Sequence, residues 1–277
     1  MKEKDQYQPI GVFDSGFGGL TVLKEIVKEL PEYDFLYLGD NARAPYGSRS
    51  FETVYEYTLQ CVKHLFENGC HLVILACNTA SAKALRTIQQ KDLPKIAPGK
   101  RVLGVIRPTT EIIGAHSKSG YVGVLGTQGT VSSGSYLVEI EKFFPDLNVT
   151  QEACPMWVPL IENNELDNEG AEYFIKRHIN ALMSREPKID AIILGCTHYP
   201  LIENKIRKYL SPEVKLLSQG TIVAKGLKDY LHRHPEIEEN CSKNKTVNFL
   251  TTDLPETFDK AASLFYGQPV KSKHLSL

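Results

Sequence analysis

Short runs of apolar residues alternate along the chain with longer stretches in which apolar and polar residues follow a helical spacing. Short apolar runs bounded by turn residues are typical of parallel strands buried on both faces, and the longer stretches are typical of the helices that cover them. The alternation predicts the α/β fold class, with parallel-rich sheets flanked by helices. The predicted strands are IGVF at 10–13, FLYLG at 35–39, LVILA at 72–76, VLGVI at 102–106, VGVLG at 122–126 and AIILG at 191–195.

The stretches between these runs have the apolar spacing of amphipathic helices. After Leu216 come a helical stretch at 219–234, the run TVNFLTT from Thr246 and a last helix from Pro255, and we expect this part of the chain to return to the first sheet. The earlier predicted helices run from Gly18 to Leu30, Phe51 to Glu67, Val131 to Phe144, Glu169 to Arg185 and Leu201 to Leu210.

The two halves of the chain resemble each other weakly. Each half opens with a strand that runs into a turn of small residues, and each later contains a strand that ends in a cysteine. These cysteines, Cys77 and Cys196, are 119 positions apart, which is about the length of a domain. We expect a first α/β domain of residues 1–100 plus 217–277 and a second of residues 101–216.

Composition and charge narrow the classes of function. Hydrophobic residues make up 42% and charged residues 23% of the 277, which is ordinary globular usage. The formal charge of -1 gives no field that would attract nucleic acid or an anionic membrane. No apolar run approaches the roughly 20 residues that span a bilayer, and the polar start MKEKDQYQ lacks the apolar core of a signal peptide. We expect a cytoplasmic protein without a membrane partner, and a nucleic-acid partner is not predicted.

A glycine-rich turn, FDSGFGGL at 13–20, follows the first predicted strand and precedes a helix. Such a turn aims backbone N–H groups at an anion, although a plain βα turn with Asp14 or Ser15 as the helix N-cap is an equally good interpretation of the glycines alone. Asp14 would repel a phosphate but would pair with an ammonium group. The turn therefore suits a zwitterion.

The loop DNARAPYG at 40–47 follows the next predicted strand and supplies further donors and acceptors. Taken alone, a Pro-Tyr-Gly turn explains it.

Six cysteines show neither CxxC pairing nor the density of a disulfide scaffold, so we expect free thiols. Cys77 and Cys196 both stand where a predicted parallel strand ends, which is where open α/β sheets bind ligands. One buried cysteine is more often structural than functional. Two at equivalent positions, each beside hydrogen-bonding residues, favour a function. The other four, Cys61, Cys70, Cys154 and Cys241, need no role beyond packing.

A thiol that exchanges protons near neutral pH needs an auxiliary group. His198, beside Cys196, and Asp14, near Cys77, are the candidates, although a histidine in this context also caps or packs. Cys196 and His198 alone do not complete a zinc site, so a metal is not expected. No lysine stands at a strand-end glycine turn to suggest a Schiff base to pyridoxal phosphate.

Five motifs in this order, GVFDSGFGGLTV, YLGDNARAPYG, ACNTASA, VPLIENNE and GCTHYPL, make the chain resemble the glutamate racemases of the aspartate/glutamate racemase superfamily. The resemblance runs from about Ile10 through Tyr199, with a weaker match from Thr251. It implies two pseudo-symmetric α/β domains with the substrate in the cleft between them. Arg107-Pro108-Thr109-Thr110 departs from the pattern of small residues that follow a proline in many members of this family, so we expect the loop contacts there to differ.

The resemblance also implies roles for individual residues. Cys77 and Cys196 would be the two acid–base residues, one on each face of the α-carbon, with Asp14 and His198 assisting. Glu162 would help orient His198. The implied substrate-binding positions are Asp14, Ser15, Pro45, Tyr46, Gly47, Asn78, Thr79, Thr130, Glu162, Thr197 and His198.

The function implied is racemisation of glutamate without a cofactor, which would supply D-glutamate for peptidoglycan, by a chain that could form a homodimer. Three alternatives remain open from the sequence. The pocket could admit another amino acid such as aspartate. One thiolate could attack a carbonyl with His198 as base, in an acyl transferase. A binding module without catalysis would make no use of the two cysteines.

Overall fold

The computed structural model describes residues 7–277, and its strands form two parallel sheets. The six-stranded sheet has the order β10-β9-β2-β1-β3-β4, and the four-stranded sheet has the order β6-β5-β7-β8. The strands are β1 Ile10–Asp14, β2 Phe35–Gly39, β3 Leu72–Leu75, β4 Arg101–Gly104, β5 Tyr121–Gly126, β6 Asn148–Ala153, β7 Ala191–Gly195, β8 Lys215–Leu217, β9 Val247–Thr251 and β10 Ser272–His274.

Helices cover both sheets, which explains why the central strands are buried along their whole length. Short 3₁₀ turns lie at Asn41–Arg43, Ile113–Ala115 and Tyr199–Ile202, and a π turn lies at Ile88–Asp92. The helices are α1 Gly19–Glu29, α2 Phe51–Glu67, α3 Asn78–Lys83, α4 Leu85–Thr87, α5 Leu93–Ile96, α6 Ile106–Thr110, α7 Gln128–Ser132, α8 Ser135–Phe143, α9 Trp157–Glu162, α10 Glu169–Arg185, α11 Glu203–Arg207, α12 Gln219–Arg233, α13 Pro235–Glu238 and α14 Pro255–Tyr266.

The α/β class is confirmed, and so is the return of the C-terminal part to the first sheet, where β9 pairs with β2. Helices α12 and α14 stand where they were predicted. Because Val12 of the first sheet and Leu194 of the second belong to one continuous hydrophobic core, the two sheets are packed through a shared interior.

Three predicted elements were wrong in detail. The run at 102–106 ends as a strand at Gly104, and this strand pairs with β3 of the first sheet although residues from 101 onward were assigned to the second domain. The helix predicted over 131–144 is broken by Gly134, whose φ of 66° no helical residue adopts. The stretch 201–210 is a 3₁₀ turn followed by the short α11.

The chain crosses between the sheets after β4 and returns after β8. Both crossings bring new elements to the region between the sheets, α6 after the first and the start of α12 after the second. The carboxyl ends of β1 and β3 in one sheet and of β5 and β7 in the other lead into the loops described next. None of the helices in residues 7–277 is long and apolar enough to cross a membrane.

Candidate active site

One cleft of about 140 Å³ is lined by residues of both sheets. It is smaller than the roughly 300–1,000 Å³ of sites for drug-sized ligands, and it therefore suits a molecule of amino-acid size. Most of the predicted site residues line it, namely Ser15, Pro45, Tyr46, Gly47, Cys77, Asn78, Thr79, Glu162, Cys196, Thr197 and His198.

Cys77 comes from the first sheet, at the N-cap of α3. Its side chain is 6% exposed, and its Sγ accepts a hydrogen bond from the backbone N–H of Ala80 at 3.4 Å. Ser15 Oγ lies 3.3 Å from the same sulfur. Burial, followed by the nearby charge of Asp14, raises the pKa of Cys77 to about 12 although the contacts with Ser15 and Ala80 oppose the shift. Burial thus favours the thiol over the thiolate of Cys77 at neutral pH.

Asp14 lies behind the cleft and not on its surface. Its side chain is 1% exposed, and Oδ2 accepts a hydrogen bond from the N–H of Gly16 at 2.9 Å. Oδ1 is buried and has no hydrogen-bond partner within residues 7–277. Burial raises the pKa of Asp14, and the positive charge of His198 is the main opposing influence. The Gly16 N–H of the glycine-rich turn thus donates to the carboxylate of the same turn and is not available to bind an anionic ligand.

Cys196 comes from the second sheet, at the end of β7, and is also 6% exposed. Its Sγ lies 3.8 Å from His198 Nδ1, and His198 Nε2 lies 2.9 Å from Glu162 Oε1. Burial alone would lower the pKa of His198, but the contacts with Cys196 and Glu162 outweigh it and raise the pKa. Cys196 and Glu162 thus favour the imidazolium form of His198, which faces the second sulfur.

Gly18 allows the two sides to approach each other. A Cβ at this position would lie 2.2 Å from Thr197 Oγ1 and 2.4 Å from His198 Nδ1, so any side chain would push the Cys196 loop away. The neighbouring helix α1 adds a direct tie, because Thr21 Oγ1 donates to the carbonyl of Thr197 at 2.9 Å. The small residues of the first turn are thus required by packing between the sheets.

The loop after β2 closes one end of the cleft. The hydroxyl of Tyr46 donates to Asp40, which also receives Arg43 Nε at 2.7 Å. On the far side, the carbonyl of Gly47 accepts the N–H of Gly129 at 2.8 Å, so the loop reaches the second sheet. The loop is a fixed wall of the site and not merely a turn.

Three threonine hydroxyls join the sheets beside this wall. Thr79 Oγ1 lies 2.9 Å from Thr127 Oγ1 and 3.4 Å from Thr130 Oγ1. Thr127 also caps α7 by accepting the N–H of Thr130 at 3.3 Å. Thr130 is fully buried and does not line the cleft, so of the predicted substrate-binding residues Thr130 and Asp14 lie outside its surface.

Several residues that line the cleft were not predicted from the sequence. Thr127 and Gln128 belong to the second-half echo of the glycine-rich turn, VLGTQGT, which was the available signal. Val158 and Pro159 belong to the motif VPLIENNE, of which only Glu162 was predicted to line the site, whereas Pro155, just after the polar edge strand β6, gave no signal. The missed lining residues are Gly16, Ala44, Ser48, Thr127, Gln128, Pro155, Val158 and Pro159.

Cysteines outside the cleft are buried and free, as expected. Within residues 7–277, no three His, Cys, Asp or Glu side chains gather closely enough to hold a metal ion.

The model of the Asp/Glu/hydantoin racemase family matches residues 10–225. Among curated proteins, a glutamate racemase of Geobacter metallireducens is 40% identical over 94% of this chain and 93% of its own length. One from Persephonella marina is 39% identical over 97% of both chains.

Solved structures agree with this similarity. A glutamate racemase isoform from Bacillus anthracis superposes with a TM-score of 0.89 at 34% identity over 99% of each chain. The glutamate racemase of Francisella tularensis in complex with D-glutamate gives a TM-score of 0.84 at 33% identity over 97% of each chain. The chain therefore belongs to the Asp/Glu/hydantoin racemase family.

Proposed function

We propose that this chain interconverts L-glutamate and D-glutamate without a cofactor. The observation that carries the proposal is the placement of two buried thiols, one from each sheet, in a single cleft of about 140 Å³. The choice of glutamate rests on relatives that are named glutamate racemases and match nearly the whole chain.

The reaction needs a base on each face of one carbon. The α-hydrogen of an amino acid is very weakly acidic, so its removal requires a well-placed base and stabilisation of the negative charge that develops. In our proposal the thiolate of one cysteine takes the proton from its face, and the thiol of the other cysteine gives its own proton to the opposite face. The first cysteine ends as a thiol and the second as a thiolate, and the reverse reaction exchanges their roles.

In this proposal, hydrogen bonds and the bound substrate stabilise the thiolate of Cys77. With a pKa of about 12, Cys77 requires added positive charge to form its thiolate near neutral pH. A bound ammonium group would supply that charge, and the Ser15 hydroxyl and the Ala80 N–H would stabilise the sulfur directly. Asp14, behind Ser15, would offset the ammonium charge from outside the cleft surface.

Cys196 is served by a proton carrier. A protonated His198 can stabilise a negative sulfur at 3.8 Å or pass a proton to it, and Glu162 keeps the imidazole charged and oriented. Proton transfer at Cys196 therefore does not require the positive charge of the substrate.

Ser15, Asn78, Thr79 and Thr197 would hold the carboxylates of the substrate, while Pro45, Tyr46 and Gly47 shape the wall and Thr130 supports Thr79. Fixed donors aimed at developing charge are usually the largest catalytic contribution, and the loss of one typically costs about 2.7–4 kcal/mol. Side-chain donors on both sheets would thus bind the dicarboxylate across the cleft.

We also propose, from the family resemblance, that the product supplies D-glutamate for peptidoglycan in the cytoplasm. A homodimer and the division into two domains stay predictions. The Arg101–Gly104 strand moves the first boundary beyond residue 104 if the sheets define those domains.

The proposal is tested by circular dichroism of purified protein with each enantiomer of glutamate and no added cofactor. We expect the signal to decay to zero from both starting enantiomers. Unchanged signals would overturn the proposal. Decay with aspartate alone would indicate another amino-acid racemase, and an acyl adduct trapped on a single cysteine would indicate acyl transfer.

A further inference from the structure

A buried polar network stands behind the cleft residue Asn78. Asn78 is 3% exposed, and its carboxamide oxygen accepts the hydroxyl of Tyr136 at 2.7 Å. Its Nδ2 donates to Gln219 Oε1 at 2.6 Å. The carboxamide, which immediately follows Cys77, is thus held at both ends by side chains that do not line the cleft.

The orientation of both amides follows from the chemistry of their partners. Gln219 meets the backbone carbonyl of Val105 at 3.0 Å, and a carbonyl only accepts, so the atom facing it must be Nε2. Oε1 then faces Asn78, which must present Nδ2 to it. Oδ1 of Asn78 is left for the hydroxyl of Tyr136, whose oxygen in turn accepts from Gln219 Nε2 at 2.9 Å. No flipped arrangement satisfies all these groups.

One hydrogen of Asn78 Nδ2 remains free of protein partners within residues 7–277, on a residue that lines the cleft. Gln219 consumes the other. The network therefore fixes where this N–H points without using it.

The network also joins both crossings between the sheets. Val105 and Thr109 belong to the first crossing, and Gln219, which is 3% exposed, begins α12 at the second. Gln219 Nε2 reaches Thr109 Oγ1 at 3.1 Å in addition to the Val105 carbonyl. Thr109 lies in the stretch that departs from the family pattern. Tyr136, on α8, belongs to the second sheet side, so three parts of the fold meet at one carboxamide.

We propose that Tyr136 and Gln219 are positioning residues that act through Asn78, aiming its free N–H at a carboxylate of the substrate. The inference rests on the proposed function. A purely structural network would also stabilise the crossings. In that case the effect of removing Tyr136 or Gln219 on kcat/KM would be the same with and without the Asn78 carboxamide.

The test is a double-mutant cycle. Tyr136→Phe and Gln219→Met remove the polar contacts at nearly constant shape, and each is measured alone and together with Asn78→Ala. Misplacing a substrate contact by about 1 Å costs up to roughly 100-fold, so we expect each single variant to lower kcat/KM by roughly 10- to 100-fold. In the Asn78→Ala background the same changes should alter kcat/KM by less than about twofold.

Tyr33→Phe is the control, because it removes a tyrosine hydroxyl that donates to Glu238 at 2.7 Å and does not line the cleft. It should lower the melting temperature and leave kcat/KM unchanged. If Gln219→Met does not fold, Tyr136→Phe decides alone, since it keeps the ring and loses only the hydroxyl.

Losses that persist in the Asn78→Ala background, or variants that lower only the melting temperature, overturn the positioning role and leave the proposed function standing. A wild-type chain that does not interconvert the glutamate enantiomers overturns both.

Discussion

The two sulfurs of the cleft occupy equivalent places in the two sheets but have different surroundings. Cys77 caps a helix and contacts a hydroxyl, with a buried carboxyl group behind it. Cys196 caps none of the helices in residues 7–277 and faces a histidine that is held by a glutamate. The repeated strand-end position therefore determines where the thiols lie, whereas the loops determine their electrostatics.

This difference is compatible with a reaction that treats both faces of a carbon alike. Because the two enantiomers of glutamate have equal free energies, kcat/KM must be the same in both directions for any variant. An asymmetry between the sides can therefore be detected only in kcat and KM taken separately, in exchange of the α-hydrogen, or in the reactivity of each thiol.

Removing either sulfur should have the largest effect on racemisation. We expect Cys77→Ala and Cys196→Ala each to lower racemisation in both directions by roughly 10²–10⁴-fold or more, because a proton donor or acceptor is lost from one face. In D2O each variant should still exchange the α-hydrogen of one enantiomer, and the two variants should act on opposite enantiomers. Circular dichroism measures racemisation, and NMR measures the exchange.

Cys70→Ala is the control for these variants. Cys70 is a buried thiol near Gly11 and precedes β3, whereas Cys77 follows the other end of that strand, so the loss of Cys70 should cost stability but not activity. Near-wild-type interconversion by either cleft variant would end the two-base proposal.

Replacing the histidine should separate the two sides. His198→Asn removes the imidazolium beside Cys196, and we expect kcat/KM to fall roughly 100-fold, equally in both directions. Exchange in D2O should survive for the enantiomer that Cys77 handles, as identified with Cys196→Ala, and should be lost for the other.

His178→Asn is a suitable control, because His178 is also buried and held by a glutamate, Glu152 at 2.6 Å, but lies outside the cleft. An equal loss of exchange from both enantiomers in His198→Asn would show that His198 serves the whole cleft and that the two sides are not independent.

Replacing Glu162 should reveal the role of His198 in the pH dependence of kcat/KM. Glu162 is among the groups that raise the pKa of His198, so Glu162→Gln should lower that pKa. Less imidazolium is then present at any alkaline pH, and the alkaline limb of the kcat/KM profile should move to lower pH. If the pKa falls by about one unit, the imidazolium fraction on that limb falls roughly tenfold, and we expect kcat/KM there to fall by the same factor.

Glu165→Gln, on the neighbouring exposed loop, should leave the profile unchanged. A profile for Glu162→Gln that coincides with that of the wild type would remove His198 as the titrating group.

The position of the two thiols in one cleft could be predicted from the sequence because they follow buried parallel strands, whose continuous apolar runs are easy to detect and whose carboxyl ends bind ligands. It did not predict that Asp14 turns inward, since this depends on the conformation that places the Gly16 N–H on its carboxylate. Pro155 was missed because it follows Asn148–Ala153, a half-exposed, polar edge strand without the alternation that identifies strands.

The end of the fourth strand was missed for a different reason. VLGVI reads as one strand, but Gly104 ends it and Ile106 begins α6, so the apolar residues beyond the glycine serve a helix. The apolar run could be predicted from the sequence, but the point inside it at which the strand gives way to a helix could not.

The smallest effect should come from the hydroxyl beside Cys77. The Ser15 contact lowers the pKa of Cys77, so Ser15→Ala should raise it further and reduce the thiolate fraction at every pH below it. A net hydrogen bond of about 0.5–1.5 kcal/mol corresponds to a roughly two- to tenfold slower reaction with iodoacetamide. The measurement is made in the Cys196→Ala background, where Cys77 is the remaining thiol that lines the cleft.

Two further variants decide whether this effect belongs to the Cys77 side alone. Ser48→Ala removes a hydroxyl that also lines the cleft but makes no hydrogen bond to Cys77 Sγ, so it should leave the alkylation rate unchanged. His198→Asn should change the rate less than Ser15→Ala does, because the histidine contacts the other sulfur. A larger effect from His198→Asn would mean that the charge of His198 governs both thiols across the cleft, and the two sides would then have to be treated as one coupled acid–base system.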